Sequence, residues 1–267
     1  MPRRTLHLPP WPTPTVTALA AAATARGMRV HTFRDRRVPE EHRRDPGAGL
    51  YAGPAFADVV APDLGLGLLE APEGWLPALP YELTGRRIEL MPLAQARQLR
   101  VPAFMKPPND KSFPARVYPD GSRLPGRDAV EDDVPVLVSD IVTFTAEFRL
   151  YVLDGEVVTG SRYAVRGVRD VVPLAADPRA AGVREFAARL FAPGVPALPR
   201  AVVVDVGTVD EGLGGEGWAV VEANAAWASG HYACDADRAL DVVLRAARAV
   251  TAPEDVPFLR PYPSVVR

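Results

Sequence analysis

The sequence predicts an α+β sheet-and-helix sandwich preceded by a small α/β lobe. Three observations carry this expectation. Asp154-Gly155 stands between two alternating runs, residues 147–153 and 156–163, which is the strongest short hairpin signal available. Val183, Phe186, Ala187, Leu190 and Phe191 form one apolar stripe at helical spacing. Residues 201–206 and 218–222 are two further β-rich runs, close enough in sequence to pair. Strand pairs with helices laid over them make a layered α+β domain.

Taken in order, residues 17–26 predict a helix that Gly27 stops, and residues 28–33 a short strand. A charged loop follows to residue 46. Residues 50–99 mix short apolar runs with Gly and Pro, and a helix is expected over 92–99. From there the pattern sharpens. Residues 102–106 read as a strand ending on Lys106, residues 107–111 as a polar loop, and residues 134–138 as another strand. Asp177-Pro178 starts a helix with a capping residue and a first-turn proline. The glycine-rich stretch 207–217 reads as a loop, and residues 235–250 as a last helix with Leu240, Val243, Ala246, Ala247 and Val250 inward. The expected division is a lobe over 1–100 and a second domain over 101–267.

Composition excludes several classes. The chain has 267 residues, with 31 basic against 33 acidic and a net charge of -2, which argues against nucleic-acid or anionic-membrane partners. No run of eighteen apolar residues exists, so no membrane span is expected. Cys234 is the single cysteine, which excludes a disulfide framework and multi-cysteine metal sites and fits a cytoplasmic location. Arg3 and Arg4 before an alanine-rich stretch loosely mimic an export leader, but Pro9, Pro10, Pro12 and Pro14 interrupt it, and an ordinary first helix fits better. No Gly-x-x-x-x-Gly-Lys-Ser/Thr segment occurs, so a P-loop is ruled out.

Lys106 and Lys111 are the only lysines among the 31 basic residues, and Asn109 and Asn224 the only asparagines. A composition that has replaced lysine by arginine elsewhere points to function where two lysines stand five residues apart, because a point charge and a planar fork are not interchangeable at a tight site.

Four segments hold the unusual polar residues. Lys106, at a strand end beside the loop with Lys111, can reach the charged tail of a nucleotide. The apolar strand that stops at Ser139-Asp140-Ile141 can offer backbone groups to an adenine edge. Glu147 and Arg149 share one face of a strand by its period of two. Asp205 on one strand, with Glu222 and Asn224 on the next, makes an all-oxygen set suited to Mg²⁺ held together with phosphates. The plainer alternative for that set is a salt bridge to one of the arginines.

Together these segments resemble the ATP-grasp superfamily, over about residues 100–235 and in the right order. The paired lysines of MKPPNDKSF, the EFR segment and the VVEANAAWASGHYACD run look most like a compact clade distinguished by an arginine and two lysines. The resemblance implies two α+β subdomains gripping ATP, with Lys106 and Lys111 on the phosphates, Ser139, Asp140 and Ile141 at adenine, Glu147 on the ribose, and Asp205, Glu222 and Asn224 on Mg²⁺. It further implies an ATP-dependent ligase joining a small-molecule or peptide carboxylate to an amine through an acylphosphate. Arg149, Arg162 and Lys111 are the catalytic candidates. One departure stands out: relatives often carry an arginine two residues before the first metal aspartate, and here that position is Val203. A non-catalytic ATP-binding module and a phosphotransferase without an amine acceptor are the rival readings. His231 and Tyr232 could line an acceptor pocket, Trp227 could stack on substrate or plug the core, and Arg166 and Arg169 could meet a substrate carboxylate.

Overall fold

The computed structural model describes residues 4–109, 111–212, 215–250 and 252–261. The chain opens with β1 (Thr5–Leu8), α1 (Pro14–Ala25), β2 (Arg29–Thr32), β3 (Ala48–Leu50) and α2 (Pro54–Leu64). β1 lies between β2 and β3 and runs parallel to both, which needs a crossover, and α1 supplies the first. The helix starts earlier than expected because the Thr13 hydroxyl accepts from the Val16 amide at 3.1 Å and Pro14 takes the first turn.

The N-terminal lobe carries three of the chain's four histidines, His7 on β1, His31 on β2 and His42 in a short turn after β2. The rings of His7, His31 and His42 pack with centroids 4.2 to 5.4 Å apart. His7 is fully buried, and neither of its ring nitrogens has a partner. Burial first, and then the neighbouring His42 and His31, push its pKa from 6.5 down to about 3; Asp45 opposes this, and Arg29 adds to it. Protonation therefore favours the unfolded chain, so stability is full above pH 6.5 and falls as the pH drops towards 3. At pH 4.5 the expected loss from this residue is about 3 kcal/mol. Urea unfolding of wild type and His7→Leu at pH 7 and 4.5 checks it: the variant should lose less stability between the two. Equal slopes would remove His7 as the cause.

The middle of the chain forms β4 (Gly67–Leu68), α3 (Trp75–Ala78), α4 (Tyr81–Thr84), β5 (Ile88–Pro92), α5 (Leu93–Ala96), β6 (Ala103–Lys106), β7 (Arg116–Tyr118) and β8 (Pro135–Ser139). Strands β5-β8-β6-β7 make an antiparallel sheet in that order. Met91, Leu93, Met105, Tyr118 and Val136 fill its core. The helix expected over 92–99 is a single turn. Gly121 docks against its end, with its amide on the Leu99 carbonyl at 3.0 Å, and a Cβ there would stand 2.1 Å from the Ala96 oxygen. β5 pairs with strands that lie beyond residue 101, so this sheet draws on both sides of that position.

The second half builds β9 (Phe144–Leu153), β10 (Glu156–Val165), β11 (Val168–Pro173), α6 (Ala180–Leu190), β12 (Ala201–Gly212), β13 (Gly215–Asn224), α7 (Ala236–Ala246) and β14 (Ala247–Arg248). The five long strands form one antiparallel sheet ordered β11-β10-β9-β12-β13. Asp154 and Gly155 make the expected two-residue turn, both with positive φ (52° and 82°). One face of the sheet presents Phe148, Leu150, Val152, Val204 and Val206 to the Val183, Phe186, Ala187 and Leu190 stripe of α6. That helix begins at Ala180, because the Asp177 carboxylate accepts from the Arg179 amide (2.8 Å) and holds a tight turn first.

The 207–217 stretch is not a loop. β12 runs to Gly212 and β13 starts at Gly215; Leu213 and Gly214 lie outside the described residues. Gly207 serves close strand approach, since a Cβ there would lie 2.6 Å from the Ala146 oxygen. α7 also ends earlier than expected, at Ala246, because Ala247 and Arg248 pair antiparallel with Leu68 and Gly67. Among the described residues no helix is long and apolar enough to cross a membrane.

Candidate active site

Register places the polar residues in a row. Arg149 on β9 stands opposite Asp205 on β12, which stands opposite Glu222 on β13, so the three side chains share one face of the sheet. Asn224, two residues beyond Glu222, shares it too. The Arg149 fork meets Asp205 with Nε to Oδ1 at 2.9 Å and Nη2 to Oδ2 at 2.6 Å, and its Nη1 donates to the Gly230 carbonyl at 3.2 Å. The Asn224 amide donates to Glu222 Oε1 at 2.9 Å and to Asp205 Oδ2 at 3.2 Å. Lys106, arriving from β6 in the other sheet, forms an ion pair with Glu222.

The electrostatics follow from burial and pairing. Asp205 is 1% exposed, and burial lifts its carboxyl above the usual range against the pull of Arg149. Burial also pushes Glu222 up, but the Lys106 charge and the hydrogen bonds from Lys106 and Asn224 outweigh it and hold the carboxyl below the usual range. Glu147 accepts from the Tyr163 hydroxyl at 2.8 Å; burial raises its pKa, with Asp205 and Glu222 adding to the rise. Tyr163 stacks on Tyr232 with rings 5.0 Å apart and 12° from parallel. Arg149 lies 5.0 Å from the Tyr232 ring. Tyr232 is held at a φ of 50°, a left-handed conformation uncommon outside glycine.

Beside this row lies a cavity of about 270 Å³ between the two sheets. Its lining combines apolar Ile88, Phe104, Leu137, Ile141 and Phe144 with charged Arg86, Lys106, Asp140, Glu147 and Glu222. Apolar walls beside charged groups suit a planar base joined to phosphates. Ser139, Asp140 and Ile141 are part of that lining. Asp140 is pinned to Arg87: its carboxylate accepts from the Arg87 amide at 3.0 Å, and its own amide donates to the Arg87 carbonyl at 3.1 Å.

Most of the residues singled out by sequence thus converge, but not all. Lys111 is exposed and outside the cavity lining. Arg162 is turned to the opposite face, paired with Asp177 and Asp170. The cause is a slip in the β9–β10 register between Val157 and Thr159, which sets Arg162 opposite Phe148 where unbroken pairing from the turn would set it opposite Glu147; a second slip, between Arg162 and Ala164, presents Tyr163 to the cavity. Val203 is fully buried in the core with Tyr151 and Trp227. Trp227 is a core plug, its indole donating to the Leu69 carbonyl at 2.9 Å. Cys234 is buried and its thiol pushed up to about 12 by desolvation. His231 Nδ1 meets the Thr15 hydroxyl at 3.0 Å. Arg166 and Arg169 are exposed, Arg169 lying 5.9 Å from the Tyr232 ring. Sequence reasoning missed Arg86, Phe104, Phe144 and Tyr163 in the lining: Arg86 precedes β5 as one arginine of 29, and the three aromatics sit on strands where they read as ordinary core.

Among the described residues no group of three or more His, Cys, Asp or Glu is arranged to hold a metal ion. The set here is smaller: the Asp205 and Glu222 carboxylates, with the Asn224 amide turned towards both. Such a hard donor set fits a divalent cation whose remaining ligands come from phosphate and water.

A family model matches residues 83–242; it describes an ATP-grasp domain, the second family of the clade distinguished by an arginine and two lysines. The chain is an ATP-grasp protein of that clade. The ATP-grasp fold recurs in a RimK domain protein from Sphaerobacter thermophilus, 15% identical, with 91% of this chain and 97% of that one covered and a TM-score of 0.50. It recurs also in the D-alanine–D-alanine ligase of Bacillus anthracis, 12% identical, with 91% and 97% covered and a TM-score of 0.50. The ATP-grasp ligase PsnB, solved with a minimal precursor, aligns at 15% identity over 91% and 98% with a TM-score of 0.48. No curated protein matches this ATP-grasp sequence.

Proposed function

We propose that this ATP-grasp protein is an ATP- and Mg²⁺-dependent ligase that joins a carboxylate to an amine through an acylphosphate. One observation supports this above others: a lysine from one sheet meets Glu222 of an Asp205–Glu222–Asn224 cluster on the other, beside a cavity whose lining is otherwise largely apolar.

In this reading the 139–141 strand end takes the adenine edge, Glu147 the ribose hydroxyls, and Lys106 the phosphates, with Lys111 brought in from its loop. Asp205, Glu222 and Asn224 would hold Mg²⁺, which when bound supplies charge neutralisation on the phosphate oxygens. A substrate carboxylate oxygen attacks the γ-phosphorus, the bond to the β–γ bridging oxygen breaks, and ADP leaves. The amine nitrogen then attacks the acyl carbon, inorganic phosphate leaves, and the nitrogen gives its proton to solvent or a base. Arg149, fixed by two bonds to Asp205, is preorganised to steady the charge on the transferring phosphoryl group and the tetrahedral intermediate. It stands where it can take the part that an arginine at position 203 would play.

The test is phosphate release from ATP across a panel of carboxylate–amine pairs, including acidic peptides. Release that requires both partners supports ligation. Release with the carboxylate alone, yielding a stable phosphorylated product, would replace it by phosphotransfer. Tight Mg²⁺-dependent ATP binding with no release for any pair would leave a nucleotide-binding module.

A further inference from the structure

Arg86, just before β5, is 7% exposed, and among the described residues no carboxylate forms an ion pair with it. Its Nη1 donates to the carbonyls of Thr84 (2.9 Å) and Val220 (2.8 Å), its Nη2 to that of Val221 (3.1 Å). Its guanidinium lies 5.4 Å from the Phe144 ring. Burial lowers its pKa to about 10, against the more distant charge of Glu222. A buried arginine spent on main-chain carbonyls is unusual, since its fork matches carboxylates best.

The strand it grips explains the arrangement. β13 is the edge of the five-stranded sheet. Its pairing with β12 slips between Asp205 opposite Glu222 and Val206 opposite Val220, which leaves Val221 as an extra, unpaired residue. The two β13 carbonyls that Arg86 binds belong to the peptides on either side of Val221, and the second of these peptides leads directly into Glu222. Gly85, at a φ of 59°, turns the chain so that Arg86 reaches this edge, and the Thr84 hydroxyl ties down the Arg86 carbonyl at 2.8 Å.

We propose that Arg86 is a positioning residue that clamps the β13 bulge and so aims the Glu222 carboxylate at Lys106 and Asn224. Without the clamp an edge-strand bulge has one register neighbour only, and a shift of one residue turns Glu222 to the other face. The nucleotide readout of this proposal rests on the ATP- and Mg²⁺-dependent reading above; the backbone readout does not.

The test compares wild type with Arg86→Lys, which keeps the charge but cannot span both carbonyls. Three quantities are read: the Mg²⁺ concentration for half-maximal binding of a non-hydrolysable ATP analogue, the Mg²⁺-free affinity for adenosine, and amide hydrogen exchange across residues 219–224. The expected result is a Mg²⁺ requirement raised about tenfold, adenosine affinity within twofold, and faster exchange in that segment. Equal losses for adenosine and the Mg²⁺-loaded analogue would overturn the proposal and make Arg86 a wall of the base end; unchanged exchange would overturn it as well. Should wild type bind no analogue, the nucleotide reading fails by itself, and the exchange data alone decide on the clamp. If Arg86→Lys does not fold, Gly85→Ala must show the same split, because it keeps the guanidinium and strains the turn that aims it.

Discussion

Lys106→Ala is expected to weaken binding of a Mg²⁺-loaded, non-hydrolysable ATP analogue by about 100-fold, the scale of losing a charged hydrogen bond to phosphate. The variant should also lose affinity with falling pH more steeply than wild type. Glu222 sits below the usual carboxylate range although burial alone would lift it, and Lys106 is the leading cause that opposes the lift. With the lysine gone the Glu222 pKa climbs, so its carboxylate takes up a proton at higher pH than in wild type and then ceases to be a metal ligand. Calorimetric titration at pH 7 and 5.5 reads both effects. An affinity within threefold of wild type at either pH would remove Lys106 from the nucleotide site.

Arg149→Met separates chemistry from binding. Turnover should fall about 1,000-fold, the scale of losing a preorganised charge at the transition state, while analogue affinity changes little. The same variant leaves Asp205 buried without its partner, at a cost of about 3 to 5 kcal/mol. Two melting experiments follow. Asp205→Asn added to Arg149→Met should recover much of the lost Tm, because the unpaired charge is gone. Mg²⁺ should raise the Tm of Arg149→Met more than that of wild type, because a cation then replaces the guanidinium. If Mg²⁺ leaves the variant's Tm unmoved, Asp205 is a structural partner of Arg149 and not a metal ligand.

Legibility from sequence followed the length and regularity of the elements. The β9–β10 hairpin, the α6 stripe and the α7 stripe were readable because ten or more residues repeat one period. The N-terminal lobe was not: β1 and β3 have four and three residues, all buried, and too few to show any period. The polar row was readable because lysine and asparagine are so scarce that each survivor draws notice. Arg162 misled for a physical reason. Counting by twos along β10 from the turn fails at the register slip between Val157 and Thr159, and no residue type marks that slip in advance. Gly207 misled similarly, since a glycine that admits a neighbouring strand reads like one that bends a loop. Arg86 stayed hidden because one arginine among 29 carries no signal until its acceptors are seen.

The ion pair between Lys106 and Glu222 joins the two sheets. If Lys106 holds the phosphates as proposed, a phosphate must compete for its ammonium with a carboxylate tethered at high effective concentration. In that reading the protein carries its own competitive inhibitor. Measured affinity is the intrinsic affinity scaled by the fraction of molecules in which this pair is open. Association rates should accordingly level off at high nucleotide concentration, at the rate at which the carboxylate lets go. Glu222→Gln should lift that ceiling even as it weakens the hold on the metal.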